Sequence, residues 1–475
     1  MTFQIAVRRL TGYSQCLRRF SSLVTKPEVA AHLSEIILKP HVPTIRDHTP
    51  TRSEPLCDVI TKMDWEWEYI RAKELERERK ALEDLAANQN SAFYLVNLAI
   101  VREKHQQWIS MLPRIEPFYA VKCNPDARIL STLEALGTGF DCASFSEMEA
   151  VIDGAAASAD RVIYANPCKS VEHLRRARLL GVKLMTFDNH SELVKIAREY
   201  PDAELILRIL VDDSHAVCQM GQKYGSTLDN VPSLLDTAKS LNLKVRGISY
   251  HVGSGCGSAQ AFSNAVEDAR KAFDIAADRG FELNVLDVGG GFPGQFLPSD
   301  KTSGISFTEI AQSLRAALDK NFPEDSKVRL IGEPGRFYST SSHTLAANVI
   351  GRREPEGSQI FNPQTGELCF NPAPGYMYYI SDGLYGSFNC VLYDHVHLSH
   401  TNPPHRLGGS NSSDDSYSCS VWGPTCDGLD CVMEDAKLPL LEEGDWISFP
   451  DMGAYTSAAG SNFNGFEKPS LHYID

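Results

Sequence analysis

The sequence has no CxxC pair and no zinc-like spacing among its 12 cysteines, which argues for free thiols in a reducing compartment rather than a metal site. No stretch approaches the roughly 18 apolar residues of a membrane-spanning helix. Positive charge is scarce. Lys and Arg number 46 against 61 Asp and Glu, a net charge of -15. That argues against a general binder of nucleic acid or of anionic membrane. No internal repeat occurs. What remains is ordinary globular composition, 43% hydrophobic over 475 residues, enough for about two or three domains.

One segment departs from this balance. Residues 1–27 hold Arg8, Arg9, Arg18, Arg19 and Lys26 and no acidic residue. Interleaved apolar and hydroxyl residues give it the composition of a mitochondrial transit peptide, and a basic disordered tail has the same composition. The expected location is cytoplasmic, with a mitochondrial alternative resting on this leader. With the extended arm that follows, residues 1–63 form one region. Residues 64–98 should be a charged, solvated helix, with pairs such as Glu76 and Lys80 four apart, and a strand that joins a β domain.

From 99 to 345 short apolar runs alternate with amphipathic helical stretches. The runs are 117–121, 138–142, 161–165, 183–187, 204–209, 244–252, 283–288 and 328–333. Their number and spacing predict a (β/α)8 barrel. An open doubly wound sheet would carry its glycine fingerprint after the first strand, whereas Gly289-Gly290-Gly291 follows the seventh run. Residues 346–475 read as a C-terminal β domain. Runs 341–352, 376–382, 389–398, 417–423, 444–449 and 469–474 should be strands. Segments 354–375 and 401–416 read as exposed loops.

In such a barrel the chemistry sits at the carboxyl ends of the strands. Those ends carry Lys122, then Asp141 and Glu147, Arg208, His251 with Ser254, the glycines 289–291, and Glu333-Pro334-Gly335-Arg336. A lysine closing an apolar run must be solvated or paired. Unpaired burial would lower its pKa toward neutrality and let it bond an aldehyde cofactor. Taken alone, it reads equally as a lysine snorkelling from a strand end. Glycines let backbone amides wrap an anion, and barrel phosphate sites form in the last two loops. Glu333 could keep a pyridine nitrogen protonated. His251 could stack on a planar ring, although a lone histidine here is more often a satisfied core residue. An amine for an aldehyde, a phosphate cradle and a carboxylate for a ring nitrogen together describe pyridoxal 5'-phosphate. In the β domain, Cys426 is a thiol that can shuttle a proton, and Asp394, Asp427 and Asp430 could bind a cationic substrate.

The segments PFYAVKCN, GTGFDCAS, RVIYANPCK, HVGSGC, GGGFPG, EPGR, YGSFNCVLYDH, WGPTCDGLD and DMGAYT resemble those of the eukaryotic ornithine decarboxylases of the alanine-racemase-like barrel family. The resemblance runs from about residue 92 to 475. It implies pyridoxal 5'-phosphate, L-ornithine as substrate, putrescine as product and a head-to-tail homodimer with active sites shared across its interface. Lys122 would be the Schiff-base lysine and His251 the residue stacked on the ring. Ser254, Gly290, Gly291, Gly335, Arg336 and Tyr455 would hold the phosphate, and Glu333 the ring nitrogen, with Asp141, Glu147 and Arg208 around the cofactor. Tyr393, Asp394 and Asp427 would bind the substrate's distal ammonium. Cys426, donated by the partner subunit, would protonate the product carbanion. No metal is implied.

The family also contains non-catalytic antizyme inhibitors. Arg175, Arg176, Arg178, Lys183, Lys195 and Arg198 form a basic run like an antizyme-binding surface, so an antizyme-like partner and a regulatory role form the alternative reading. Such a run is also what a solvated helix face carries. Lysine as a co-substrate is a further alternative. Asn97 stands where an Asp is common.

Overall fold

The computed structural model describes residues 71, 73–295, 305–354, 359–361, 368–370, 375–398, 403–408 and 416–475. The chain divides into two compact units, Met1–Tyr69 with Gly408–Ser416, and Ile70–Leu407 with Tyr417–Asp475. All that follows concerns the second. The basic leader and extended arm lie outside the described residues, as does most of the 401–416 loop.

In chain order the strands begin with β1 (Phe93–Asn97), β2 (Ile115–Ala120), β3 (Gly139–Cys142), β4 (Val162–Tyr164), β5 (Leu184–Phe187) and β6 (Glu204–Arg208). Next come β7 (Ala216–Cys218), β8 (Lys244–Ser249), β9 (Ser254–Cys256), β10 (Val285–Asp287) and β11 (Arg329–Gly332). Strands β2, β3, β4, β5, β6, β8, β10 and β11 close a parallel barrel. Seven of the eight apolar runs read from the sequence contain one of these strands, and the first, 117–121, overlaps β2. A parallel barrel strand is covered on both faces, so its sequence is apolar without alternation. Phe118, Ile163, Ile206 and Val285 pack together inside. They come from alternate strands, the layering that fills such barrels. Helices flank the strands, among them Leu98–Met111, Val171–Leu180, His190–Glu199, Val231–Ser240, Ala259–Asp278 and Phe307–Asn321.

The remaining strands are β12 (His343–Arg353), β13 (Gln359–Phe361), β14 (Leu368–Phe370), β15 (Tyr376–Ile380), β16 (His405–Arg406), β17 (Tyr417–Trp422), β18 (Cys431–Leu438), β19 (Trp446–Phe449) and β20 (Ser470–Ile474). Most of them build one sheet in the order β16-β19-β12-β15-β17-β18. The early strand β1 inserts there, antiparallel to β12 and parallel to β20. The expected N-terminal contribution to the β domain is therefore present, and every residue of β1 is buried.

Four expectations need correction. Segment 389–398 is not a strand: Cys390–Tyr393 is a short helix. Phe388 and Cys390 are buried while Leu392 and Tyr393 face solvent, and Asp382 accepts from Ser387 N at 3.1 Å, which turns the chain. Segment 431–438 is a strand that was missed, because Glu434 and Asp435 interrupt its apolar pattern where the register with β17 shifts. Segment 354–375 contains the β13–β14 pair, and 401–416 contains β16. Finally, the charged helix, described over 73–86, is solvated on one side only. Leu82 packs with Phe93, Leu95 and Ala346, and Glu78 is buried.

Asn97 shows what this docking requires. Its Oδ1 accepts from Ala99 N at 3.1 Å, capping the helix Leu98–Met111. Its Nδ2 donates to Glu74 Oε2 at 2.7 Å and to Glu78 Oε1 at 3.1 Å. An aspartate keeps the cap but donates nothing and adds a third carboxylate. Asn97→Asp should therefore destabilise the fold by about 1–3 kcal/mol. Urea unfolding checks this, and an unchanged midpoint refutes it.

Candidate active site

Lys122 lies in a single turn, Val121–Cys123, directly after β2. The parallel register sets Ala120 opposite Asp141 on β3, so the lysine's amine reaches that carboxylate, Nζ to Oδ2 at 2.5 Å. Asp141 is fully buried, and its Oδ1 has no protein partner. Burial works to lower the lysine's pKa. The charge of Asp141, helped by Tyr455 and Glu333, overcomes it, and the net pKa is raised. The expectation of an ammonium pushed toward neutrality is thus corrected, because the lysine is paired.

Glu147 starts from the same corner. Its Oε2 accepts from Ala143 N at 2.6 Å, and its own N–H donates to Ser144 Oγ. Burial raises its pKa, and neighbouring Asp141 adds to this. Arg208, at the end of β6, lies over the ring of Tyr224 at 5.5 Å.

His251 follows β8. Its Nδ1 accepts from Gly253 N at 3.0 Å, so in the neutral ring the proton sits on Nε2. Burial, then the charges of Arg208 and Lys122, push its pKa far down, and the imidazole is neutral near pH 7. A Cβ on Gly290 would stand 2.8 Å from His251 Nε2 and 3.0 Å from the Glu333 carbonyl, so only glycine fits. Gly291 has φ +98°, open to glycine at little cost.

Glu333 follows β11 and donates its N–H to Gly289 O at 2.7 Å, tying the last two loops together. Its carboxyl pKa is raised well above normal by burial, then by Asp287 and Asp141, against Lys122 and Arg208. Asp287 closes β10. It is fully buried, its Oδ1 accepts from Gly289 N at 2.9 Å, and its side chain is hydrogen-bonded to Glu333. Its pKa is also raised, burial being the largest cause.

Arg336 opens the short helix Arg336–Ser339. It grips Asp394 with a fork, Nη1 to Oδ2 and Nη2 to Oδ1, both at 2.7 Å, and Nη2 also reaches Ser254 Oγ at 3.0 Å. Its guanidinium lies 5.0 Å from the ring of Tyr455. Tyr455 holds φ +54°, an unusual backbone for a bulky residue, and donates its N–H to Cys123 O at 3.0 Å. Asn124, a residue missed in the sequence, braces the same junction. Its Nδ2 donates to Gly453 O at 2.9 Å and contacts His343 Nε2 at 3.1 Å. Through these contacts the β-domain segment carrying Tyr455 is fixed to the turn carrying Lys122.

Lys122, His251, Ser254, Gly290, Gly291, Glu333, Gly335, Arg336 and Tyr455 line one cavity. Ala120, Met220 and Phe292 complete it. Met220 had no sequence signal; its N–H is held by Asp213 Oδ2 at 2.6 Å. Asp141, Glu147, Arg208 and Asp394 are not part of the lining, but Asp141 binds Lys122 and Asp394 binds Arg336, which are.

Cys426 and Asp427 do not line this cavity either. They lie on the turn between β17 and β18, where Cys426 is exposed. Tyr385 donates its hydroxyl to Asp427 and stacks on Phe463 at 4.3 Å. That hydrogen bond is the main cause of the lowered pKa of Asp427. Asp430 is a scaffold rather than a ligand for a cationic substrate. Its Oδ1 accepts from Leu384 N at 2.7 Å and its Oδ2 from Thr425 N and Oγ1 at 3.0 and 2.7 Å. Tyr393 is 71% exposed. Among the described residues no cluster of His, Cys, Asp and Glu could hold a metal ion.

A family profile, the pyridoxal-binding domain of pyridoxal-dependent decarboxylases, matches residues 98–340. The chain belongs to the pyridoxal-dependent decarboxylases. Ornithine decarboxylase of Mus musculus is 47% identical over 425 residues, covering 89% of this chain and 88% of the mouse protein. Antizyme inhibitor 2 of Xenopus laevis is 45% identical over 383 residues, 80% of each. Among solved structures, the arginine decarboxylase of Paramecium bursaria Chlorella virus superposes with a TM-score of 0.74 at 34% identity, covering 83% of this chain and 99% of that one.

Proposed function

We propose that this chain decarboxylates L-ornithine to putrescine and CO2 with pyridoxal 5'-phosphate, the first step of polyamine synthesis. The observation that carries this is the single cavity in which Lys122, the glycine loops with Arg336, and Glu333 converge. The fit to the cofactor is chemical. Backbone amides and a guanidinium suit a phosphate, an amine suits an aldehyde, and a carboxyl suits a pyridine nitrogen. When bound, the cofactor supplies an electron sink for the electrons of the broken carboxylate bond.

The chain's own residues do the rest. Lys122 would hold the aldehyde end of the cofactor, and Asp141, bound to its Nζ, would receive the proton the ammonium must lose. Ser254, Gly291, Gly335, Arg336 and Tyr455 hold the phosphate. His251, neutral, lies against the ring without adding charge. Glu333, its carboxyl pKa raised by burial, can deliver a proton to the ring nitrogen and stay as its counter-ion. Asp394 and Asp427, with Tyr393, receive the distal ammonium of the substrate.

The reaction's last proton comes from Cys426 of the partner subunit. Two observations support a homodimer. Cys426 and Asp427 stand apart from the cavity lining, and Leu392, Tyr393, Leu429, Phe463 and Phe466 are exposed apolar side chains of the β domain. Such side chains suit an interface.

The similarity to an antizyme inhibitor favours a second reading, a regulator that binds an antizyme-like protein. Two features weigh against it. The chain keeps Lys122, Glu333, Cys426 and Asp427, and its basic run is largely paired. Arg175 and Arg198 both bind Glu199, Arg176 binds Glu172, and Lys195 binds Glu192.

Release of labelled CO2 from ornithine, with lysine as competitor, separates the readings. The expected result is turnover of ornithine, with kcat/KM for lysine lower by about 10–200-fold, the usual effect of one added methylene. No CO2 from ornithine would overturn the enzymatic reading, and equal rates would overturn the specificity.

A further inference from the structure

We infer that Asp394 couples cofactor retention to substrate binding, by competing with the cofactor phosphate for the Arg336 guanidinium. The inference rests on the proposed placing of a phosphate at Arg336 and of an ammonium at Asp394. Its own evidence is the ion pair. Both terminal nitrogens of Arg336 bind the two oxygens of Asp394 at 2.7 Å, and Nη2 is shared with Ser254 Oγ at 3.0 Å. Neither partner is free to swing into water, with 18% and 10% of their side chains exposed. This bidentate form is the strongest that a guanidinium makes with a carboxylate.

The consequence is electrostatic. Arg336 lines the cavity beside Ser254, Gly291, Gly335 and Tyr455, where the phosphate would sit. A phosphate there and the Asp394 carboxylate are two anions drawn to one cation, and in a poorly hydrated setting they repel each other. Asp394 therefore weakens phosphate binding. An ammonium arriving at Asp394 neutralises that carboxylate and returns Arg336 to the phosphate. Phosphate and distal ammonium thus bind with positive coupling, and by linkage each strengthens the other. The cofactor is held more tightly when a diamine ligand is present than when the site is idle.

The test measures dissociation constants on the full-length protein resolved of its cofactor. Asp394→Asn should bind pyridoxal 5'-phosphate about tenfold more tightly than the wild type, inside the roughly 5–150-fold range of such couplings. Binding of pyridoxal, which lacks the phosphate, should not change. A merely structural role would move both alike. An unchanged or weakened pyridoxal 5'-phosphate affinity overturns the inference, as does an equal change for pyridoxal.

A second measurement needs no variant. On the wild-type protein without cofactor, putrescine should tighten the binding of inorganic phosphate by a similar factor, while butylamine should not. With no aldehyde present, no covalent chemistry intervenes. Phosphate affinity indifferent to putrescine overturns the inference. A wild-type protein that shows no visible absorbance band with pyridoxal 5'-phosphate overturns the functional reading as well. A protein that shows the band but fails these tests overturns the coupling alone.

Discussion

Lys122→Ala should lose the visible absorbance band of the lysine-bound cofactor, and its CO2 release from ornithine should fall by about 10²–10⁴-fold or more, the range for loss of a positioned proton-transfer group. The argument is positional. Lys122 is the amine of the cavity lining, and Asp141 fixes its Nζ at 2.5 Å. Lys169, two strands on, cannot replace it, because its amine is buried and bound to Thr186 O at 2.6 Å and Glu192 Oε1 at 3.0 Å. Cofactor should still bind non-covalently to the phosphate cradle, since Arg336 and the glycine loops are untouched. Retention of the band in the purified variant would remove Lys122 from its role.

Mixing subunits should give the second large effect. Cys426→Ala alone should decarboxylate but misplace the final proton, yielding aldehyde and pyridoxamine phosphate in place of putrescine. Neither it nor Lys122→Ala should make putrescine efficiently. Co-refolded in equal amounts, they should recover about a quarter of wild-type putrescine formation. Random pairing makes about half the dimers mixed, and each mixed dimer has one site with both Lys122 and Cys426 intact. The structural ground is that Cys426 and Asp427 do not line the Lys122 cavity. No recovery on mixing would mean that each site is completed within one chain.

The barrel was legible because its strands are buried on both faces and therefore read as plain apolar runs. The β domain was harder. In β18 the pair Glu434–Asp435 hides the strand, and near Cys390 an apolar segment turned out to be a helical turn held by Asp382. The candidate site divides along the same line. Lys122, His251, Glu333 and Arg336 stand at strand ends, where position along the chain reports position in space. Asn124, Met220 and Phe463 have no such marker. They matter through contacts with residues far away in the sequence, such as Asn124 with Gly453.

By itself the sequence determined the barrel and pointed to the kind of cofactor and to candidate residues at the strand ends, because apolar periodicity and strand-end chemistry are local properties of the chain. Only the tertiary structure decided that Lys122 is a paired ammonium, that Glu333 shares its surroundings with the buried Asp287, and that Arg336 is bound to Asp394. Charge state and ion pairing depend on burial and on separations of a few ångströms between residues tens to hundreds of positions apart, and the order of residues does not contain those separations.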